Sequence, residues 1–145
     1  MPIGKTVIAL IFFILMLALN IIRLVRAARF RRALRDKKVL KVTADIVSVH
    51  GIVGRNYFTT RYASAKYNID GKNVVGRMIC SYLDGKLQKG QNAEVLVNRS
   101  FPNMFALSEK QIRHSFAEYL TYVIVASAAV AVFGFILFVE LCYYI

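Results

Sequence analysis

The chain predicts an α+β membrane protein, in which two transmembrane helices flank a small antiparallel β domain of four or five strands. Three observations carry this. Hydrophobic residues make up 57% of 145 residues, with no Trp, which is too apolar for an ordinary soluble domain. Residues 6–22 (TVIALIFFILMLALNII) and 119–139 (YLTYVIVASAAVAVFGFILFV) carry no charge. Between them, the spacing of apolar residues changes to the near alternation of strands.

At about 1.5 Å rise per residue the second apolar segment covers roughly 31 Å, the thickness of a hydrocarbon core. The first needs Ile3, Gly4 or Leu24 to span it comfortably. A cleaved signal peptide is disfavoured for this segment. Only Lys5 precedes the apolar run, and arginines follow where a small-x-small site belongs. The expected organisation is helix one over residues 1–22, a basic juxtamembrane helix over 23–38, a β domain over 39–107, a helical stem over 108–118, and helix two with a short tail over 119–145.

Most of the basicity is juxtamembrane. Residues 23–38 hold Arg23, Arg26, Arg29, Arg31, Arg32, Arg35, Lys37 and Lys38 against Asp36, which is +7 of the formal +12. Lys and Arg near the ends of a span set its orientation, so the middle segment is expected in the cytoplasm with both termini outside, in a bacterial inner membrane. Lys110 and Arg113 before helix two agree. Arginine at every third position from 23 to 35 advances about 300° per step, winding around the helix instead of forming one stripe. This disfavours a nucleic-acid groove face and suits anionic lipid headgroups, where each cation contributes about 1 kcal/mol. Ala27, Phe30 and Leu34 leave a narrow apolar face for the membrane or the domain beyond.

Residues 39–51 (VLKVTADIVSVHG) read as the first strand. In residues 61–69 Tyr62, Ser64, Lys66 and Asn68 share one face, and Ala63, Ala65, Tyr67 and Ile69 the other. Asp70-Gly71 suits a type I′ hairpin turn. The returning strand is expected over residues 73–82, with Gly76 as a bulge. Residues 93–98 follow the Lys89-Gly90 turn. Phe101-Pro102-Asn103 is read as a break and 104–107 as a short last strand. About 70 residues is little for an independent core, so support from the helix stems or a partner is expected. Ser108 is a helix-cap candidate.

A transmembrane helix, the strand TADIVSV, a Y-x-I-x-G-K hairpin (Tyr67, Ile69, Gly71, Lys72), a Lys89-Gly90 turn before V-x-V-N (Val95, Val97, Asn98), Pro102 with Phe105 and Leu107 after it, and a second helix stand in that order. In this order the chain resembles the bacterial membrane family catalogued as domain of unknown function 3592. It departs where that family often has a Tyr-Asp/Asn-Pro step, having Asn98-Arg99-Ser100-Phe101-Pro102. The resemblance implies a two-helix bacterial protein with a small β domain, and it brings no catalytic residues.

The residues themselves name no catalytic, cofactor or metal site. His50 and His114 lie far apart without ligand spacing. Cys80 and Cys142 fall on opposite sides of the membrane in the expected topology, and Asp70 and Asp84 precede glycines as turn residues do. Asn20 and Glu140 lie near the ends of the spans, too shallow for an ion pathway. Ser127, Ala131 and Gly134 offer a small-residue face for helix one or another subunit. Arg55, Tyr57, Phe58, Arg61 and Tyr62 mix cations with aromatics and form the expected partner surface. The functional expectation is a non-enzymatic interaction protein that presents a cytoplasmic β domain to a protein partner or a second copy. The alternatives are an immunity protein against a membrane-acting toxin and an anionic-lipid sensor or lipid-dependent enzyme.

Overall fold

The computed structural model describes residues 3–53, 58–79, 83–84 and 87–144, with side chains excepted at 51–53, 58–61 and 83–84. The order of elements is α1 (Ile3–Arg35), β1 (Val39–Val53), β2 (Phe58–Ile69), β3 (Lys72–Met78), β4 (Leu83–Asp84), β5 (Asn92–Asn98), β6 (Phe101–Ala106) and α2 (Glu109–Tyr144). Two compact units result. One comprises Met1–Arg26 with Ala117–Ile145, the other Ala27–Phe116.

In the helical unit both helices are long and apolar enough to cross a membrane, and their apolar windows are only 6% buried. Ile8, Leu15, Ile124 and Phe135 point outward among many exposed apolar side chains. The buried positions of this unit are Thr6 and Asn20 on α1 and Tyr119 and Ala126 on α2. Thr6 Oγ1 donates to Glu140 Oε2 at 2.9 Å, and the Phe13 and Phe133 rings stack at 5.2 Å. The same antiparallel register brings the large polar Asn20 level with the small Ala126. Asn20 is buried and donates from Nδ2 to Met16 O at 2.9 Å.

The second unit is a barrel. β1 pairs with β5 through its first half and with β2 through its second, β2 pairs with β3, β5 with β6, and β3 with β6 in parallel. These pairings close a ring of five strands. The two-residue β4 adds one bridge, Thr60↔Leu83, to the outside of β2. The seam between β3 and β6 is the shortest in the ring, with two residue pairs.

The expected alternation in β2 holds. Ala63, Ala65, Tyr67 and Ile69 are buried in the barrel with Ala44, Ile46, Met78, Val95, Val97 and Phe105. A ring of five strands is narrow, and the alanines make room there for Tyr67 and Phe105. The turn after β2 is type I′ by its dihedrals, with Asp70 at φ 51° and Gly71 at φ 80°. Asn68 Oδ1 accepts from Gly71 N at 3.0 Å.

Three strand expectations are corrected. The β domain is not wholly antiparallel, because β3 and β6 run parallel where they close the ring. Gly76 is no bulge, because the β2–β3 register runs unbroken from Ser64↔Arg77 to Ile69↔Lys72. It is a close approach instead: a Cβ there would stand 2.6 Å from Tyr67 Cζ. Pro102 does not break the chain, since β6 begins at Phe101. β3 meets β6 only at Arg77↔Met104 and Met78↔Phe105, so the ladder asks no N–H of Pro102 on that side. Its carbonyl accepts a hydrogen bond from the Tyr67 phenol.

Tyr67 therefore bridges the gap that β6 leaves beside β3, with its ring edge-on to Phe105 at 6.1 Å. Burial pushes its phenol from 10.0 up to about 12. Unfolded tyrosine ionises near 10, so the stability this group contributes is complete below about pH 10 and is lost as pH rises toward 12. Unfolding midpoints of wild type should accordingly fall more steeply across pH 10–12 than those of Tyr67→Phe. Parallel curves would show that the phenol is not confined.

Helical stems cover one outer face of the barrel. Phe30 from α1 and Ile112 from α2 are fully buried in a second cluster with Ile79 and Ala106, flanked by Leu34, Val39, Leu96 and Met104. Ser108 caps α2 by accepting from Gln111 N at 3.2 Å. The fully buried Gln111 side chain accepts from Leu107 N at 2.6 Å and donates to Ile79 O at 3.3 Å. It thus satisfies backbone groups at the edge of that cluster.

Candidate functional site

The basic stem is built by the way α1 buries its last turns. Ala27, Phe30 and Ala33 go inward against the barrel, with Leu34 half-buried beside them. The apolar face expected around Phe30 thus packs on the domain. Successive residues turn by about 100°, so Ala28, Arg31, Arg32 and Arg35 fall within one arc of about 100° on the opposite side. Arg23, Arg26, Arg29, Arg32 and Arg35 still wind around the continuous helix, and the arc arises because Arg31 joins Arg32 and Arg35.

Packing then sorts the eight cations. Arg23 and Arg26 belong to the helical unit, and the others to the barrel unit. Arg29 holds its guanidinium carbon 4.9 Å from the centre of the Phe101 ring. Arg31 stands 4.6 Å over Phe116, the cation–π geometry that keeps a long side chain in one place. Arg31, Arg32 and Arg35 line a concavity of about 310 Å³ with Ala28 and Phe116. Arg35 also meets Asp36 at 3.7 Å, an exposed and therefore weak pair.

Lys37 and Lys38 line a different concavity of about 300 Å³ with Leu40, Arg99 and Ser100. They close α1. Lys38 N donates to Ala33 O at 2.9 Å and Lys37 N to Leu34 O at 3.3 Å, the paired bonds of a Schellman end. Lys37 has φ 56°, a left-handed conformation that costs a non-glycine residue about 1 kcal/mol. Arg99, which the sequence reading did not single out, donates its backbone N–H to Lys38 O at 3.4 Å and pairs with Asp70 at 3.8 Å. Only the tertiary fold brings these turns together.

Other expected residues are placed as follows. Arg55 and Tyr57 lie outside the described residues, and Phe58 and Arg61 are described in backbone only, within β2. Tyr62 is 42% exposed and paired across the ladder with His50. Ser127 and Ala131 are exposed and Gly134 is half-buried, while α1 packs against the face carrying Ala126 and Phe133. Cys142 is an exposed free thiol, and Cys80 lies outside the described residues. Asp84 belongs to β4. Among the described residues no three or more His, Cys, Asp or Glu gather closely enough to hold a metal ion. No protein-family model matches the chain, and no curated protein is similar to it.

Proposed function

We propose that this is a two-span protein of the bacterial inner membrane that holds its barrel in the cytoplasm, with both termini outside, as a non-catalytic docking module for a protein partner. The observation that carries the reading is the open edge of β3. Among the described residues, 72–76 are bonded to β2 on one side and have no β6 neighbour on the other, and Val75 within them is 58% exposed. An unpaired strand bearing an exposed apolar residue accepts a strand from another chain, main-chain bonds supplying affinity and side chains selectivity. The cations at 23–38 beside the first apolar segment support the orientation. The order of motifs shared with domain of unknown function 3592 supports the bacterial assignment.

Two measurements test it. Reporters inserted at Asn73 should behave as cytoplasmic and those fused after Ile145 as external; the reverse pattern would overturn the orientation. A photo-crosslinker at Val75 in living cells should give discrete adducts absent with the same group at the exposed Asp45. Identical adducts, or none at either position, would remove β3 as the docking edge.

A further inference from the structure

We propose that Arg31, Arg32 and Arg35, with Phe116, form a discrete binding site for a phosphate group. This goes beyond the docking reading and stands whether or not β3 has a partner. Three arginines line one concavity of about 310 Å³ whose described lining contains no carboxylate. Like charges at i, i+3 and i, i+4 on a helix oppose its formation by a few tenths of a kcal/mol per pair, so the arrangement carries a cost that a bound anion relieves. Asp36 meets Arg35 through an exposed and therefore weak contact at 3.7 Å.

The chemistry of the donors selects phosphate. Guanidinium is a planar fork that bonds bidentately to oxyanions, and a tetrahedral phosphate, monoester or diester, presents its charged free oxygens out of one plane to several such forks, whereas a planar carboxylate presents both of its oxygens in one plane. Arg31 is held over Phe116 at 4.6 Å, so part of the ordering cost is met before the ligand arrives. Ala28 keeps the floor shallow and apolar, leaving room for the first carbons of an ester. The concavity at Lys37 and Lys38 differs in kind: its arginine, Arg99, already pairs with Asp70. The phosphate can come from a lipid headgroup or from solution, and the shared chemistry is the same.

The test uses the full chain in phosphatidylcholine nanodiscs. Inorganic phosphate is added at constant ionic strength, and phosphatidylglycerol is admixed in a parallel series, with the unfolding midpoint of the barrel as readout. Wild type should show a saturable rise, and Arg31→Gln/Arg32→Gln/Arg35→Gln should need at least about tenfold more ligand. Lys66→Gln/Lys72→Gln/Lys89→Gln, with the same charge change at exposed positions outside the basic stem, should respond as wild type does. A rise with phosphate assigns a soluble source, and one with phosphatidylglycerol alone a lipid headgroup. No rise with either, or equal loss in both triple variants, would overturn the site. If the glutamine triple does not fold, Arg31→Lys/Arg32→Lys/Arg35→Lys keeps the charge without the forks, and unchanged affinity in it would overturn the site equally.

Discussion

Gly76→Ala is expected to destabilise the barrel by about 3 kcal/mol, lowering its unfolding midpoint by roughly 12 °C or more. The added methyl would stand 2.6 Å from Tyr67 Cζ and 2.7 Å from Cε1, well inside van der Waals contact. Rotation does not relieve this, because the phenol is bonded to Pro102 O and the ring is edge-on to Phe105 in the core. The backbone of β3 would have to move, and it is held by the ladder to β2. Replacing the ring should release the conflict, so Gly76→Ala should cost much less in a Tyr67→Leu background. Equal cost in both backgrounds would show that the effect arises from the strand and not from Tyr67.

Phe30→Ala should cost about 3–5 kcal/mol although Phe30 lies outside the strands, because a fully buried aromatic side chain leaves both lost transfer energy and a cavity. Ile79, Ala106 and Ile112 form that cavity's walls. The unit of Ala27–Phe116 should then unfold as one, stem and strands together, while Arg32→Ala on the exposed side should stay within about 0.5 kcal/mol. Denaturant unfolding followed by near-ultraviolet circular dichroism reads both variants. A barrel indifferent to Phe30→Ala would mean that the stem only leans on it.

Local pattern made several elements legible. The uncharged segments mark both long helices, alternation in residues 61–69 identifies the inward face of β2, Asp70-Gly71 specifies its turn, and Ser108 specifies the start of α2. Each signal lies within a few residues, where dihedral preference and side-chain period act directly. Strand order is not such a signal. Closure depends on β1 being long enough to pair with two strands and on β3 meeting β6 across 26 residues of chain. The same non-local pairing explains why Gly76 resembles a bulge in sequence and Pro102 a break: their neighbours are Tyr67 and the incomplete β3–β6 seam.

Composition and charge order by themselves determined two apolar helices, a strand-forming segment between them, and a cationic stretch at residues 23–38, because hydropathy, period and charge are properties of consecutive residues. Helix spacing groups Arg31, Arg32 and Arg35, and tertiary structure alone decided what they meet. Burial of Phe30 against Ile79, Ala106 and Ile112 sets the rotation of the last turns of α1. That rotation turns the side carrying Arg31, Arg32 and Arg35 away from the barrel and brings Phe116 of α2 beneath Arg31. A basic run becomes a site through the packing of the face it does not use.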